Sequence, residues 1–328
     1  MKLVFFGTPD FAVPSLCALH ESHHEVMGVV TNPDKKSGRG QKVQSSPVKI
    51  TAEKYGYTIF QPKDLRNNDF ISQIKQIKSD IYVVVAFKIL PESILKIPQK
   101  GAVNLHASLL PMFRGAAPIN HAILNGETKT GVTTFQIRQS VDTGDILLQD
   151  IISLNNSITA GEVYNELAQT GAVLLVKTMD GLDQGSIFPK KQKDETATLA
   201  PKISIDDCRI NWNNPSKIIH NQIRAFSPKP GAFTFLKGKR VKLFNSKELE
   251  NKEKPVLKPG EIKYLKPDLL VGTGTNTIQI NQIQFEGRKI LPVSQFISGY
   301  NKIIGERFDY KRNKDQKSCL GNNEKSNL

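Results

Sequence analysis

With 328 residues and 38% hydrophobic content, the chain is long enough for two domains with a real core. It has no run near the roughly 18 apolar residues of a membrane span. Lys and Arg outnumber Asp and Glu by 45 to 31; residues 231–328 alone hold 19 of the basic and 10 of the acidic side chains, so most of the excess sits in the last third and favours a polyanionic partner. Cys17, Cys208 and Cys319 are scattered and odd in number, which argues against a disulfide framework or a zinc site and fits a reducing cytoplasmic setting.

Taken in chain order, residues 3–6 form a short apolar run closed by Gly7. The run reads as a buried strand rather than a secretory leader, because Gly7-Thr8-Pro9-Asp10 ends it without a small-residue cleavage pattern. A helical pattern follows through Phe11, Val13, Leu16 and Leu19. Residues 26–31 are the next strand candidate. The segment 32–46 has no apolar periodicity, and Lys35, Lys36, Arg39 and Lys42 stand in it among Gly, Ser and Gln, as in a solvated loop. Residues 81–86 are continuous and β-branched, the pattern of a strand covered on both faces, and 102–105 resembles it. Helical stretches at 48–55, 70–77 and 91–97 fall between these strands.

Strands alternating with helices predict an α/β fold: a Rossmann-like open, mostly parallel sheet with right-handed crossovers. The dinucleotide fingerprint is missing, since Gly7 is a lone glycine where G-x-G-x-x-G is needed, so a nicotinamide enzyme is disfavoured. Further on, 144–153 reads as a strand and 160–179 as a long amphipathic helix, and 188–202 has the Lys and Pro content of a linker. Short strand candidates at 232–236, 241–244, 262–264, 269–271 and 278–285 then predict a smaller OB-like β-barrel. Trp212 is expected at the domain junction. The boundaries expected are 1–189, a linker at 190–207, the barrel at 208–310 and a disordered polar tail at 311–328.

Ligands of open α/β sheets bind beyond the carboxyl ends of the strands, which directs attention to the far end of the 102–105 run. There the strand ends in Asn104-Leu105-His106, and period-2 geometry puts both polar side chains on one side of it. An amide donor beside an imidazole can polarise a carbonyl and stabilise the oxyanion formed when a nucleophile attacks. Downstream, Ser108-Leu109-Leu110-Pro111 and Arg114-Gly115-Ala116-Ala117-Pro118 form a Pro- and Gly-bearing loop suited to gripping a heterocycle. Val141-Asp142-Thr143-Gly144-Asp145 is a turn that can return a carboxylate to the same crevice, where it would orient His106 or relay a proton. Spacing leaves open whether Asp142 or Asp145 does so.

These motifs together resemble the methionyl-tRNA formyltransferase family. Supporting matches are Phe6-Gly7-Thr8-Pro9-Asp10-Phe11-Ala12, Thr31-Asn32-Pro33-Asp34, Gly38-Arg39-Gly40, Ser45-Ser46-Pro47-Val48-Lys49 and Arg224-Ala225-Phe226-Ser227-Pro228-Lys229-Pro230-Gly231-Ala232, spread over nearly the whole chain except its tail. The Asn, His and Ser-Leu-Leu-Pro core alone is shared with other enzymes of 10-formyltetrahydrofolate, glycinamide ribonucleotide formyltransferase among them. One departure comes after the 81–86 run: Phe87-Lys88-Ile89 makes a turn one residue shorter than that of relatives, with Lys88 in place of small or apolar neighbours.

The resemblance implies a reaction in which the α-amine of methionyl-initiator-tRNA attacks the formyl carbon of 10-formyltetrahydrofolate. Asn104 and His106 would stabilise the oxyanion, Asp142 would assist proton transfer, and Ser108, Leu109, Leu110 and Pro111 would line the folate site. No metal is required, because the donor is already activated. The loop holding Lys35, Lys36, Arg39 and Lys42 matches the family's insertion toward the tRNA acceptor stem. The barrel's densest basic cluster, Lys237, Lys239, Arg240 and Lys242, would hold tRNA phosphates. A monomer is expected, with no membrane partner.

Overall fold

A computed structural model describes residues 1–37, 42–249, 257–300 and 305–309; Arg39, with Gly38 and Gly40, and the 311–328 tail lie outside the described residues, as do the side chains of Lys36 and Lys42. The contacts gather into two units. The first comprises Met1–Ile119, Lys129–Ser153 and Val163–Pro201, the second Asn120–Thr128, Leu154–Glu162 and Lys202–Leu328. Among the described residues no helix is long and apolar enough to cross a membrane.

In the first unit β1 (Lys2–Gly7) passes through a tight turn at Asp10–Ala12 into α1 (Val13–Glu21). Gly7 is needed there, since a Cβ would lie 2.7 Å from the Phe5 ring and 2.9 Å from the Ala12 methyl. After β2 (Glu25–Val30), β3 (Lys35–Ser37) and β4 (Lys42–Gln44) pair antiparallel. The basic segment expected as an irregular loop therefore has a hairpin at its root. Polar groups, rather than apolar alternation, fasten that root: the Asp34 carboxylate accepts from Lys49 Nζ at 2.6 Å and Gln61 Nε2 at 2.9 Å. The Lys49 and Gln61 donors hold the Asp34 carboxyl below the usual carboxylate range.

Next come α2 (Pro47–Lys54), capped by the Ser46 hydroxyl accepting from the Lys49 amide at 3.1 Å, and β5 (Ile59–Phe60). They are followed by α3 (Asn68–Gln76), capped in the same way by Asn67, β6 (Ile81–Val85), α4 (Glu92–Leu95) and β7 (Ala102–His106). The unit's last elements are β8 (Lys129–Gln136), β9 (Ile146–Ser153) and most of α6 (Ala160–Asp183); α5 (Pro118–Leu124), between β7 and β8 in the chain, belongs mostly to the second unit. The sheet order is β5-β2-β1-β6-β7-β8-β9. Pairing is parallel from β5 to β7 and antiparallel at β8 and β9.

The inner strands are apolar because both faces are covered. Val4, Phe6, Tyr82 and Val84 pack with Phe70, Ile74 and Ile94, and the Phe6 and Tyr82 rings lie 5.0 Å apart. Each such side chain contributes about 1.5–3 kcal/mol on burial. This rigid centre fixes the carboxyl end of β7.

The second unit holds α7 (Ser216–Ala225) and an antiparallel sheet of β10 (Ala232–Leu236), β11 (Lys239–Glu248), β12 (Ile262–Leu265), β13 (Asp268–Gly272) and β14 (Thr277–Phe285), with the two-residue β15 (Leu291–Pro292) and α8 (Val293–Tyr300). Its order is β10-β11-β14-β13-β12. The segment 305–309 reaches both edges: Asp309 exchanges two hydrogen bonds with Phe235 on β10, and Glu306 O accepts from the Ile262 amide on β12 at 2.9 Å. Trp212, expected at the domain junction, belongs to this unit's core. It stacks on Phe308 at 5.5 Å and donates from Nε1 to Thr234 Oγ1 at 3.0 Å.

Candidate active site

The site grows from the end of β7. Asn104 and His106 alternate with the buried Val103 and Leu105, so both share one face. Asn104 is half-buried, and its side-chain amide has no hydrogen-bond partner among the described residues. His106 is 7% exposed, with Nε2 2.9 Å from the Phe113 carbonyl. A carbonyl only accepts, so Nε2 carries the proton and, in the neutral ring, Nδ1 is left as the basic nitrogen.

That nitrogen faces Asp142, whose Oδ2 stands 3.7 Å away. This separation is too long for a direct hydrogen bond and is an ion-pair contact only when the ring is protonated. Asp142 adopts φ +54°, a conformation that Asp tolerates better than most residues, and its Oδ2 accepts the Gly115 amide at 2.8 Å. Gly115 itself has φ +126°, and a Cβ there would stand 2.6 Å from the Ala200 carbonyl oxygen. Asp145, the other carboxylate that spacing left open, pairs instead with Arg138 at 2.6 Å. The structure thus brings Asp142, not Asp145, to His106.

Beyond β7 the Ser108–Pro111 turn is held from inside. Ser108 is fully buried and its hydroxyl donates to the Met112 carbonyl at 2.7 Å. Leu110 is also buried, whereas Leu109 and Pro111 keep part of their surface open. Of the four residues expected to line a folate site, these two have side-chain surface to offer a ligand. Behind the turn lies Thr133 on β8, fully buried opposite His106. Its hydroxyl donates to Ser108 O at 2.6 Å and accepts from the Leu110 amide at 3.1 Å and Gln149 Nε2 at 2.9 Å.

The stretch from Lys190 to Ala200, which reads as linker in the sequence, runs along this loop. Lys190 and Ile146 exchange backbone hydrogen bonds of 2.8 Å, Ala200 donates to Arg114 O at 2.7 Å, and Thr198 Oγ1 accepts the Phe113 amide at 2.9 Å. Thr133, Gln149, Gln192 and Thr198 all frame the site, and none of them belongs to a motif legible in the sequence. An isolated Thr or Gln carries no such pattern, and the one available signal is the β-branched run Val132-Thr133-Thr134.

The expected nucleic-acid residues are less uniform. Lys35 is exposed on β3. Lys237, Lys239, Arg240 and Lys242 share the β10–β11 hairpin but not one chemistry. Lys237 pairs with Glu306 at 2.7 Å, Lys242 Nζ donates to Pro230 O at 2.6 Å, and Arg240 lies 4.6 Å over the Phe233 ring. Lys239 is exposed at the hairpin turn, with no ion-pair partner among the described residues. Open clefts of about 440 Å³ and 560 Å³ occur near Phe60 and near Tyr164, whereas the chemistry of the side chains at the end of β7 locates the site.

A mostly parallel sheet that ends a central strand in Asn-x-His, faces it with an aspartate and is followed by an antiparallel β unit belongs to the formyl transferases. Residues 1–179 match the formyl transferase family model and residues 202–301 match that of the formyl transferase C-terminal domain. Curated methionyl-tRNA formyltransferases from Caldanaerobacter subterraneus subsp. tengcongensis and Thermodesulfovibrio yellowstonii are 43% and 45% identical, the alignments covering 92% and 94% of this chain and 97% and 98% of theirs. The chain belongs to the methionyl-tRNA formyltransferase family. Among solved structures, HypX from Aquifex aeolicus in complex with tetrahydrofolic acid shares the fold at a TM-score of 0.64 and 19% identity, over 93% of this chain and 48% of that protein.

Proposed function

We propose that the chain transfers the formyl group of 10-formyltetrahydrofolate to the free α-amino group of methionyl-initiator-tRNA, with Asn104, His106 and Asp142 carrying the chemistry. The observation that supports this most directly is the His106–Asp142 arrangement, with Nε2 anchored on the Phe113 carbonyl and Nδ1 turned to a carboxylate 3.7 Å away. The amine attacks the formyl carbon, forming a C–N bond and a tetrahedral oxyanion. The Asn104 amide donates to that oxygen. When protonated at Nδ1, His106 donates to it as well, its positive charge balanced by Asp142. Asp142 takes the proton released by the attacking nitrogen and returns it to N10 of the folate as collapse breaks the bond from the formyl carbon to N10. Leu109 and Pro111 would border the folate, on a turn kept in shape by Ser108 and Leu110.

In this reading the first unit is catalytic and the second, basic unit binds tRNA, with the true connection starting after Pro201. The enzyme works in the cytoplasm as a monomer; the free thiols of Cys17 and Cys208 are in keeping with that compartment. The direct test is formylation of charged initiator tRNA with 10-formyltetrahydrofolate, against uncharged and charged elongator tRNA. Equal formylation of initiator and elongator, or none of either, overturns the assignment of the acceptor.

Two predictions address tRNA engagement. Arg39→Ala raises KM for methionyl-tRNA about tenfold or more, by loss of a contact on the order of 1–3 kcal/mol, while kcat at saturation changes little. An unchanged rate at subsaturating tRNA removes Arg39 from recognition. On the β10–β11 hairpin, Lys239→Ala lowers the slope of log affinity against log salt by about one, as expected for one lost phosphate contact. A slope that stays at the wild-type value places the contact elsewhere.

A further inference from the structure

Gln192 belongs to none of the motifs that mark the site, yet it is 6% exposed and all of its side-chain polar capacity is directed there. Its Nε2 donates to the backbone carbonyls of Asp142 at 2.9 Å and Gly144 at 2.7 Å. Its Oε1 accepts from Arg114 Nε at 3.1 Å and Nη2 at 2.8 Å. The amide therefore clamps the two carbonyls of a turn whose first residue has φ +54°, and ties that turn to the loop that carries Gly115. Gly115 is the residue whose amide holds the Asp142 carboxylate.

A left-handed Asp is strained and keeps that conformation only where its surroundings over-determine it. Two hydrogen bonds to one buried amide donor supply that constraint here. Without them the turn is free to relax, and the carboxylate withdraws from Nδ1 of His106.

We propose that Gln192 is a positioning residue for formyl transfer, acting through Asp142; this rests on the reading that Asp142 takes part in the reaction. The two faces of the amide separate in one substitution. Gln192→Glu keeps an acceptor for Arg114 but sets a carboxylate oxygen against two carbonyls, so the Asp142 arm alone is lost.

The test measures kcat, KM for methionyl-tRNA and thermal midpoint for Gln192→Glu and Gln192→Ala, in the wild-type and Asp142→Asn backgrounds. In the wild-type background both variants should lower kcat about tenfold or more, the scale of a catalytic group displaced by a fraction of an ångström, with KM within about twofold. In the Asp142→Asn background they should add nothing further. The Gln192→Glu deficit should also shrink relative to wild type as pH falls and the new carboxyl becomes a donor. Should Gln192→Ala fail to fold, the Glu variant carries the test alone. Wild-type kcat in Gln192→Glu, or an undiminished loss on top of Asp142→Asn, overturns the proposal while leaving the role of Asp142 standing. Wild-type kcat in Asp142→Asn itself overturns the underlying reading instead.

Discussion

His106→Ala lowers kcat for formyl transfer by about 10²–10³-fold, the range for loss of an oxyanion-stabilising donor, while tRNA affinity stays within about twofold. The imidazole is the group that ties three features together: the Asn104 face of β7, the Phe113 carbonyl and the Asp142 carboxylate. Its removal takes a donor from the transition state and leaves the Asp142 carboxylate without the imidazole that faces it. The side chain is too deeply buried to hold the tRNA body, so binding measured by filter retention should not track the loss in rate. Single-turnover rates at saturating donor isolate the chemical step, and near-normal turnover sinks the assignment of His106. Loss of the bond to Phe113 also destabilises the fold by about 1–3 kcal/mol, so the thermal midpoint must show that the variant is folded at the assay temperature.

The second large effect is structural in origin and catalytic in consequence. Thr133→Val, nearly isosteric, removes a hydroxyl that serves Ser108 O, the Leu110 amide and Gln149 Nε2 at once. Gln149 keeps a partner in Leu110 O at 2.9 Å, but the Ser108 carbonyl and the Leu110 amide lose the bonds that Thr133 supplied. Two buried groups at about 1–3 kcal/mol each give an expected loss of about 2–6 kcal/mol, read as a thermal midpoint lower by about 10 °C. Activity should fall further than stability requires, because the turn after His106 relaxes. Thr133→Ser restores the hydroxyl and should recover most of both. A Val variant that melts and turns over like wild type shows that the turn is held by packing alone.

Much of the first unit was legible because its inner strands are nearly pure apolar runs; 3–6, 26–31, 81–86 and 102–105 fall on β1, β2, β6 and β7. The antiparallel β8 was not legible. Lys129-Thr-Gly-Val-Thr-Thr-Phe-Gln136 has Val132 and Phe135 as its large apolar residues, and the threonines that make it a strand also read as turn composition. The β3–β4 pairing escaped for a related reason, since it is fastened by Asp34, Lys49 and Gln61 rather than by alternation. In the site, Asn104 and His106 could be placed on one face from strand period alone. The choice of Asp142 over Asp145 could not, because it depends on a left-handed turn and on Arg138 engaging Asp145. Lys190–Ala200 reads as linker because its lysines are exposed and Pro189 and Pro201 flank it, whereas its function lies in backbone pairing and in one buried amide.

The hydrogen bonds of Asp309 to Phe235 and of Glu306 to Ile262 bear on when the second unit can form. The Thr234 hydroxyl donates to Asp309 O across 75 residues of chain, so the sheet has both flanks covered only after that distant segment has docked. Contacts of such long sequence separation close late and slowly, since loop-closure entropy is lost before any bond compensates it. During synthesis the bare amides and carbonyls of β10 and β12 are available to other strands until residue 309 has emerged. That interval, rather than the finished barrel, is when this unit is most exposed to edge-to-edge aggregation.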